Sequence, residues 1–290
     1  MDQASTLRAL SSSPAEPSKE PERVTHIFTI SSGKGGVGKS NFVLNVAIAL
    51  RQHRKKVLVM DADMGLGNID VLLGQITRFN LSHVFANEKS LGDILMHGPS
   101  DIHFLPAASG VEWITNLNTQ QKIEFLQKMD ALNGLYDILL IDTGAGISSN
   151  VLYFNLAAQT RIIVVTPEPT ALTDAYALIK VLNRIHQQKE FEVVVNAVGS
   201  EKEGLEVYRN LTSVADRFLD VRLGFLGSVR LDSHLGRAVM QQRPVVDFYP
   251  SAPISQDYRA LARRVSRMQA EALGGDLGLF WRKMVEMPTS

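Results

Sequence analysis

The chain has 290 residues, in which 30 Lys and Arg balance 30 Asp and Glu, and it contains no cysteine. The balanced charge argues against a generally basic nucleic-acid binder, and the lack of cysteine excludes disulfide scaffolds, iron–sulfur clusters and thiol catalysis. No apolar run approaches the roughly 20 residues that a membrane-spanning helix needs, and the polar N-terminus has no signal-peptide core. We therefore expect a cytosolic protein, or one that visits a membrane surface.

The first 23 residues divide into two pieces. Residues 1–10 have the composition of a short helix, whereas residues 11–23 are rich in Ser, Pro and Glu. The prolines of this second piece favour an extended, disordered and solvated linker. We therefore expect the first ten residues to be a tethered element outside the main domain.

From Val24 onward, apolar β-branched runs alternate with helical patterns. The runs cover residues 24–31, 56–60, 137–141, 161–166, 191–197 and 223–229. Several are hydrophobic at almost every position, as strands buried on both faces are. The alternation predicts one α/β domain over residues 24–273, with a mostly parallel sheet flanked by helices.

A glycine-rich motif lies between the first predicted strand and the first predicted helix. Residues 33–40, GKGGVGKS, match the phosphate-binding pattern G-x-x-x-x-G-K-[ST] in the structural context that this pattern requires. Glycines let backbone N–H groups turn toward phosphate oxygens, and the helix N-terminus adds positive potential. We expect Lys39 to neutralise the β- and γ-phosphates and the Ser40 hydroxyl to bind Mg²⁺, so the predicted ligands are ATP and Mg²⁺.

Three aspartates follow predicted strands and belong at the same edge of the sheet. Asp61 and Asp63 come after the run 57–60, and Asp142 ends the run 138–141. Because the carboxyl ends of parallel strands meet at one edge, these carboxylates can reach a metal bound with the phosphates. We predict that Asp61 and Asp142 are metal ligands and that Asp63 is catalytic. A solvated turn is the alternative interpretation of Asp61 and Asp63.

Lys34 is a second lysine near the start of the loop, and the pattern K-G-G-V-G-K is typical of deviant phosphate-loop ATPases. The stretch 24–273 resembles the MinD/ParA group of this class. The resemblance implies that two subunits enclose two ATP molecules, that Lys34 is catalytic and reaches the partner's phosphates, and that Asp63 positions the attacking water. It also places Asn196 near adenine and Glu168 near the partner's nucleotide, although a structural role suits Glu168 equally well. The nucleotide-binding set is then Gly35, Gly36, Val37, Gly38, Lys39, Ser40, Asn41, Glu168 and Asn196.

Two segments indicate which members of the MinD/ParA group the chain resembles most, and a third segment differs from the pattern of that group. Residues 61–70, DADMGLGNID, resemble the MinD side of the group, and residues 141–148, IDTGAGIS, resemble the FlhG (FleN) family of flagellar-number regulators. The absence of cysteine excludes the nitrogenase iron protein, whose cluster needs thiolates. Relatives often carry proline near position 230, where this chain has VRLD at 229–232, so the adenine contacts of that loop stay open.

The N-terminal ten residues carry a further match. Residues 2–8, DQASTLR, fit the motif D-Q-A-x-x-L-R, through which the FlhG family stimulates the signal-recognition-type GTPase FlhF. The alternative is a frayed, polar N-terminus. By the resemblance, the contacts with this partner are Asp2, Gln3, Ala4, Leu7 and Arg8.

The last segment, residues 274–290, begins with Gly-Gly and then carries an apolar stripe at helical spacing. Such a helix can lie in a membrane interface, as the family's membrane-targeting helix does, or it can dock on the protein's own surface. The two interpretations are compatible if the helix docks on the protein in the monomer and is released to the membrane on dimerisation. The stripe consists of Leu277, Phe280, Trp281, Met284 and Val285.

Together these features favour an ATP-hydrolysing, homodimeric switch that associates with the cytoplasmic face of the cell membrane at the pole. It would regulate flagellar number and placement and stimulate FlhF. Flagellar C-ring proteins or a flagellar transcription activator are further candidate partners, and direct nucleic-acid binding is not expected. The alternatives are a ParA-like DNA-partition ATPase, which needs a basic surface, a MinD-type division-site regulator, and a scaffold that binds ATP without hydrolysing it.

Overall fold

The computed structural model describes residues 24–63, 69–106, 118–271 and 277–286. The N-terminal motif at 1–10 and the linker at 11–23 lie outside these residues. Among the described helices, none combines the length and the apolar character that crossing a bilayer demands.

The described strands form one eight-stranded sheet in the order β3-β4-β2-β5-β1-β6-β7-β8. All neighbouring strands are parallel except β3 and β4, which form an antiparallel pair. The predicted α/β fold is therefore confirmed, and each of the six predicted runs forms a strand. The strands are β1 His26–Ser32, β2 Val57–Ala62, β3 Met96–His97, β4 His103–Pro106, β5 Ile138–Ala145, β6 Thr160–Val165, β7 Glu190–Val198 and β8 Arg222–Arg230.

Helices connect the strands and cover both faces of the sheet. Two 3-10 turns, Pro99–Asp101 and Asp130–Leu132, supplement them. The helices of the described residues are α1 Lys39–Gln52, α2 Ile69–Leu73, α3 Leu81–Phe85, α4 Leu91–Ile94, α5 Thr119–Met129, α6 Ser149–Ala157, α7 Pro169–Arg184, α8 Glu201–Phe218, α9 Ser233–Met240, α10 Val245–Phe248, α11 Pro253–Glu271 and α12 Leu277–Glu286.

Burial on both faces explains why the strands are hydrophobic at consecutive positions. Phe28 and Val59 point into a core that α1 and α11 cover, whereas their neighbours Ile27 and Leu58 point into the opposite core. Helices α5, α6 and α12 cover that opposite face beneath β1, β2 and β5, and α7 and α8 continue the layer beneath β6 and β7. Successive side chains of a strand alternate between faces, so a sheet covered on both sides needs apolar residues throughout.

Helix α12 packs into this second core. All five residues of its predicted apolar stripe are at most 4% exposed. The Trp281 ring meets Phe125 of α5 edge to face, with 5.4 Å between ring centroids. The Tyr153 hydroxyl of α6 donates to the Met284 carbonyl oxygen, and Lys122 Nζ donates to the Val285 carbonyl oxygen at 2.8 Å. The helix is therefore docked against α5 and α6 in the single chain.

Candidate functional site

The glycine-rich loop connects β1 to α1 and needs glycine at specific positions. Gly36 and Gly38 adopt φ values of 77° and 90°, which side-chain-bearing residues rarely adopt. Gly38 forms the N-cap of α1, which begins at Lys39. The first N–H groups of a helix have no intrahelical partner, so the start of α1 offers donors and positive potential to an anion.

The loop is wedged between α7 and β7. A Cβ atom added to Gly33 would lie 2.1 Å from the Asp174 carbonyl carbon of α7, and one added to Gly38 would lie 2.3 Å from Asn196 Nδ2. The buried Asn196 side chain donates from Nδ2 to the Val37 carbonyl oxygen at 2.7 Å. Asn196, predicted near adenine, therefore lies beside the loop and also holds it in shape, a supporting contact that the sequence did not reveal.

Lys39, Asp61 and Asp142 are buried together at the carboxyl edge of the sheet. Asp61 of β2 and Asp142 of β5 are register partners on adjacent parallel strands, and such strands lie about 4.8 Å apart. The Lys39 charge acts on Asp142, and Ser40 also interacts with that carboxyl group. The structure thus brings together the loop lysine, the loop serine and both predicted metal ligands.

The Asp142 carboxyl group is fully buried, and neither of its oxygens has a hydrogen-bond partner in the described part of the chain. Burial raises the pKa of Asp142 to about 7, although Lys39 and Ser40 oppose the rise. Lys39 and Ser40 thus act on this group as near neighbours without a well-formed hydrogen bond, and a buried carboxylate of this kind is costly unless a cation or proton compensates it. Because Mg²⁺ prefers oxygen ligands from carboxylates and hydroxyl groups, Ser40, Asp61 and Asp142 fit this ion.

Asp61 and Asp63 lie at the end of β2. The Asp61 carboxylate accepts hydrogen bonds from the backbone N–H groups of Asp63 and Ile69, both at 3.1 Å. The half-buried Asp63 lies beside β5, since its Oδ1 is 3.4 Å from where a Cβ of Gly144 would be. The Asp61 side chain is therefore buried and bonded to the backbone rather than solvated.

Lys34 is paired within its own chain. Its Nζ donates to Glu168 Oε2 at 2.6 Å and to Thr170 Oγ1 at 3.0 Å. Glu168 immediately precedes α7 as its N-cap residue. The side chains of Lys34 and Glu168 are 39% and 61% exposed, so both reach solvent at the rim of the loop. Thr170 is a contact that sequence reasoning missed, because it depends on how α7 packs against the loop.

The segment after β8, where relatives often carry proline, is fixed by ion pairs. Arg230 binds Asp257 of α11 through Nε and a terminal nitrogen, each at 2.7 Å. Asp232 caps α9 by accepting from the His234 N–H at 2.9 Å, while Leu231 between them is exposed. Arg230 and Asp257 also line a polar cleft of about 280 Å³ beside the ends of β7 and β8.

The glycine-rich loop, the buried acidic edge and the parallel sheet define a P-loop NTPase. Residues 23–266 match the family model described as ParA, NUBPL iron-transfer P-loop NTPase. The chain therefore belongs to the ParA/MinD family of P-loop NTPases, and it is an ATPase. Because the sequence has no cysteine, it lacks the thiolates that would hold an iron–sulfur cluster.

Flagellar proteins are among its similar relatives. The antiactivator FleN of Pseudomonas aeruginosa is 38% identical over 265 residues, which cover 91% of this chain and 95% of FleN. The flagellum site-determining protein YlxH of Helicobacter pylori is 34% identical over 252 residues, which cover 86% of this chain and 85% of YlxH. The solved structure of Pyrococcus horikoshii MinD complexed with Mg-ADP covers 86% of this chain and 100% of its own, with a TM-score of 0.65 and 24% identity. The similarity to this MinD structure shows that the two chains share a fold.

Proposed function

We propose that this ATPase is a nucleotide-driven switch that regulates the number and placement of flagella. The observation that carries the proposal is the 38% identity with FleN over nearly the whole of both chains, together with the match to YlxH. The word antiactivator in the FleN name favours a flagellar transcription activator as one partner, and C-ring proteins are a second candidate. ATP hydrolysis, the activity of this family, would supply the energy for such a switch.

In the proposed cycle, ATP joins two copies of the chain. Lys34 supports this step because it is exposed at the rim of its own loop and its present partner, Glu168, is exposed as well. An ion pair between solvent-exposed side chains is worth at most about 1 kcal/mol, so the lysine is easily transferred to the phosphates of a facing subunit. Glu168 is then free to contact the partner's nucleotide.

In the proposed cycle, ATP hydrolysis resets the switch. Lys39 neutralises the β- and γ-phosphates, and Asp63 orients the attacking water from its position beside β5. Ser40, Asp61 and Asp142 hold Mg²⁺, which when bound neutralises charge on the phosphate oxygens. By the family resemblance, the adenine ring would lie on the Asn196 side of the loop.

The membrane association that we propose requires release of α12, because its apolar stripe is buried in the single chain. The stripe then inserts into the interface at the cytoplasmic face of the membrane, and the pole is the proposed location. Two helices in a dimer bind more tightly than one because the second insertion becomes intramolecular. The docked helix prevents premature membrane binding by the monomer.

The proposed partner of residues 1–10 is the GTPase FlhF, through Asp2, Gln3, Ala4, Leu7 and Arg8. The test compares the full chain with a truncation that lacks residues 1–10, using FlhF GTP hydrolysis as the readout. We expect stimulation by the full chain, none by the truncation, and equal ATP binding by both. Failure of the full chain to stimulate FlhF would contradict this part of the proposal.

Flagellar counts in a host without its own homologue test the proposal as a whole. We expect the wild-type chain to restore the normal number and position of flagella and Lys39→Ala to fail. A MinD-type role is the second candidate, because MinD of Helicobacter pylori is 29% identical over 255 residues. Normal flagella with displaced division septa would favour that role, and a salt-sensitive shift of nonspecific DNA would favour a ParA-like one.

A further inference from the structure

Three side chains of types that can bind metal ions converge at the edge of the sheet that carries β3 and β4. His97 ends β3, His103 begins β4, and Asp101 lies in the 3-10 turn that connects them. The two histidines are register partners of the antiparallel pair, and their ring centroids are 4.3 Å apart. One ligand atom from each of the three residues lies within 4.8 Å of the others.

The spacing of these atoms suits a bound ion better than direct contact. His103 Nε2 and Asp101 Oδ1 are 3.8 Å apart, which is too long for a hydrogen bond between them. Two ligands that bind one ion at about 2.0–2.1 Å in tetrahedral geometry stand roughly 3.3 Å apart. The His103–Asp101 pair reaches this separation with a shift of about half an ångström, and the full set of three atoms, all within 4.8 Å of one another, reaches it with shifts of at most about 1.5 Å.

Neighbouring groups already orient the ligands. The Tyr136 hydroxyl is 2.7 Å from His103 Nδ1, which leaves Nε2 on the side of Asp101. The other Asp101 oxygen accepts from Arg51, whose Nε also donates to the Ser100 carbonyl oxygen at 3.2 Å. Partners of this kind fix the tautomer and orientation of metal ligands.

We propose that His97, Asp101 and His103 form a site for a first-row transition-metal ion, with Zn²⁺ as the representative. Two imidazoles and one carboxylate are ligands that such ions accept, and an exposed rim leaves the remaining positions for water or a partner's side chain. The ion ties the β3–β4 hairpin together and, through Asp101 and Arg51, joins it to the end of α1. The site is separate from the nucleotide site, because His103 begins β4 whereas Pro106, at its far end, pairs with Asp61.

Zinc titration of the untagged full chain, followed by calorimetry, tests this site. Excess Mg²⁺ and no nucleotide keep zinc away from the oxygen ligands of the P-loop. We expect one Zn²⁺ per chain, at least about 100-fold weaker binding for His97→Gln, and about 10- to 100-fold weaker binding for Tyr136→Phe. His186→Gln is the matched control, because it removes a histidine remote from the hairpin and should leave the affinity unchanged.

A second readout separates loss of the site from loss of the fold. His97 is exposed, so His97→Gln should retain the wild-type melting temperature without metal. Zinc should raise the melting temperature of the wild type and of His186→Gln but not that of His97→Gln. No zinc binding by the wild type, or equal binding by the wild type and His97→Gln, would overturn the proposal. Equal weakening in His97→Gln and His186→Gln would overturn it too.

Discussion

Lys34 Nζ lies 2.6 Å from Glu168 Oε2 of the same chain, which joins the two residues assigned to contacts between subunits. Because the Lys34 and Glu168 side chains are 39% and 61% exposed, the pair adds at most about 1 kcal/mol to stability. In the proposed cycle, dimerisation separates this ion pair. On that cycle, the pair would hold Lys34 at the loop rim until a nucleotide of the facing subunit replaces the Glu168 carboxylate.

Lys34→Ala should remove ATP-dependent dimers and leave nucleotide binding by the single chain intact. The variant lacks the cation that reaches the facing phosphates, whereas Lys39 remains in its own loop. Size-exclusion profiles with ATP and with ADP measure the dimer, and Glu168→Gln is the comparison that breaks the same ion pair without removing the cation. A stable ATP dimer of Lys34→Ala would show that this lysine does not act between subunits.

Asp63→Ala should retain ATP-dependent dimers and hydrolyse ATP about 100-fold more slowly, because orientation of the water is lost while the phosphate and metal contacts remain. Phosphate release and size-exclusion chromatography on the same samples separate the two effects. Hydrolysis at the wild-type rate would remove Asp63 from the catalytic set.

The raised pKa of Asp142 predicts how the free energy of unfolding depends on pH in the absence of metal. Its pKa is raised from 3.8 to about 7, so the folded chain binds more protons than the unfolded chain between these values. The carboxyl group therefore costs little stability below about pH 4, and the cost grows as the pH rises toward 7. With EDTA at pH 8, Asp142→Asn should be more stable than the wild type by on the order of 2–4 kcal/mol, with no such gain at pH 4.

The same variant should lose the stabilisation that Mg²⁺ and ATP together confer, since an amide is a weaker ligand for a hard cation. Thermal unfolding at several pH values, with EDTA or with Mg²⁺ and ATP, measures both effects. A variant less stable than the wild type at pH 8 in EDTA would contradict the inference that burial makes this carboxylate costly.

Gly33→Ala and Gly35→Ala form a matched pair in the loop. A Cβ at Gly33 meets backbone atoms of Asp174 at 2.1 Å, whereas a Cβ at Gly35 meets nothing within 4 Å. Gly33→Ala should therefore lower the stability of the nucleotide-free chain by about 3 kcal/mol, and Gly35→Ala should change it by less than about 0.5 kcal/mol. Urea unfolding without nucleotide checks both values, and equal stabilities would mean that the loop is not wedged against α7.

The sequence predicted the sheet and its acidic edge because these depend on patterns that are local. Six hydrophobic runs became strands, and Asp61 and Asp142 fell into register since parallel strands bring their ends to one edge. The strands β3 and β4 were not predicted, because Met96–His97 has only two residues and His103–Pro106 has only four. Runs this short lack a detectable period.

Contacts between distant parts of the chain were the main omissions. Nothing local indicates that Asn196 donates to Val37 or that Lys34 meets Thr170, because each contact depends on how separate elements pack. The apolar stripe of α12 was recognised from its spacing, but the same spacing suits a membrane interface and a protein core. Only the fold shows that Phe125 and Tyr153 receive this helix in the single chain.

Docking of α12 predicts that weakening its attachment promotes membrane binding. Tyr153→Phe and Lys122→Ala each remove a hydrogen bond to the end of the helix, from the Met284 and Val285 carbonyl oxygens, and leave the apolar stripe intact. Each lost bond costs about 1 kcal/mol, so the undocked fraction should rise roughly fivefold per variant. Sedimentation with anionic vesicles, in ADP and in ATP, measures the outcome.

We expect wild-type binding that requires ATP, and binding of the double variant already in ADP. Lys128→Ala is the matched control, because Lys128 makes similar hydrogen bonds from α5 but to Val84 and Asn87 rather than to α12. Removal of residues 274–290 should abolish sedimentation of every variant, since the stripe is the only lipid-binding element in the proposal. If the double variant needs ATP as strictly as the wild type, docking of α12 does not control membrane binding, and vesicle binding that survives the truncation would assign the membrane contact to another surface.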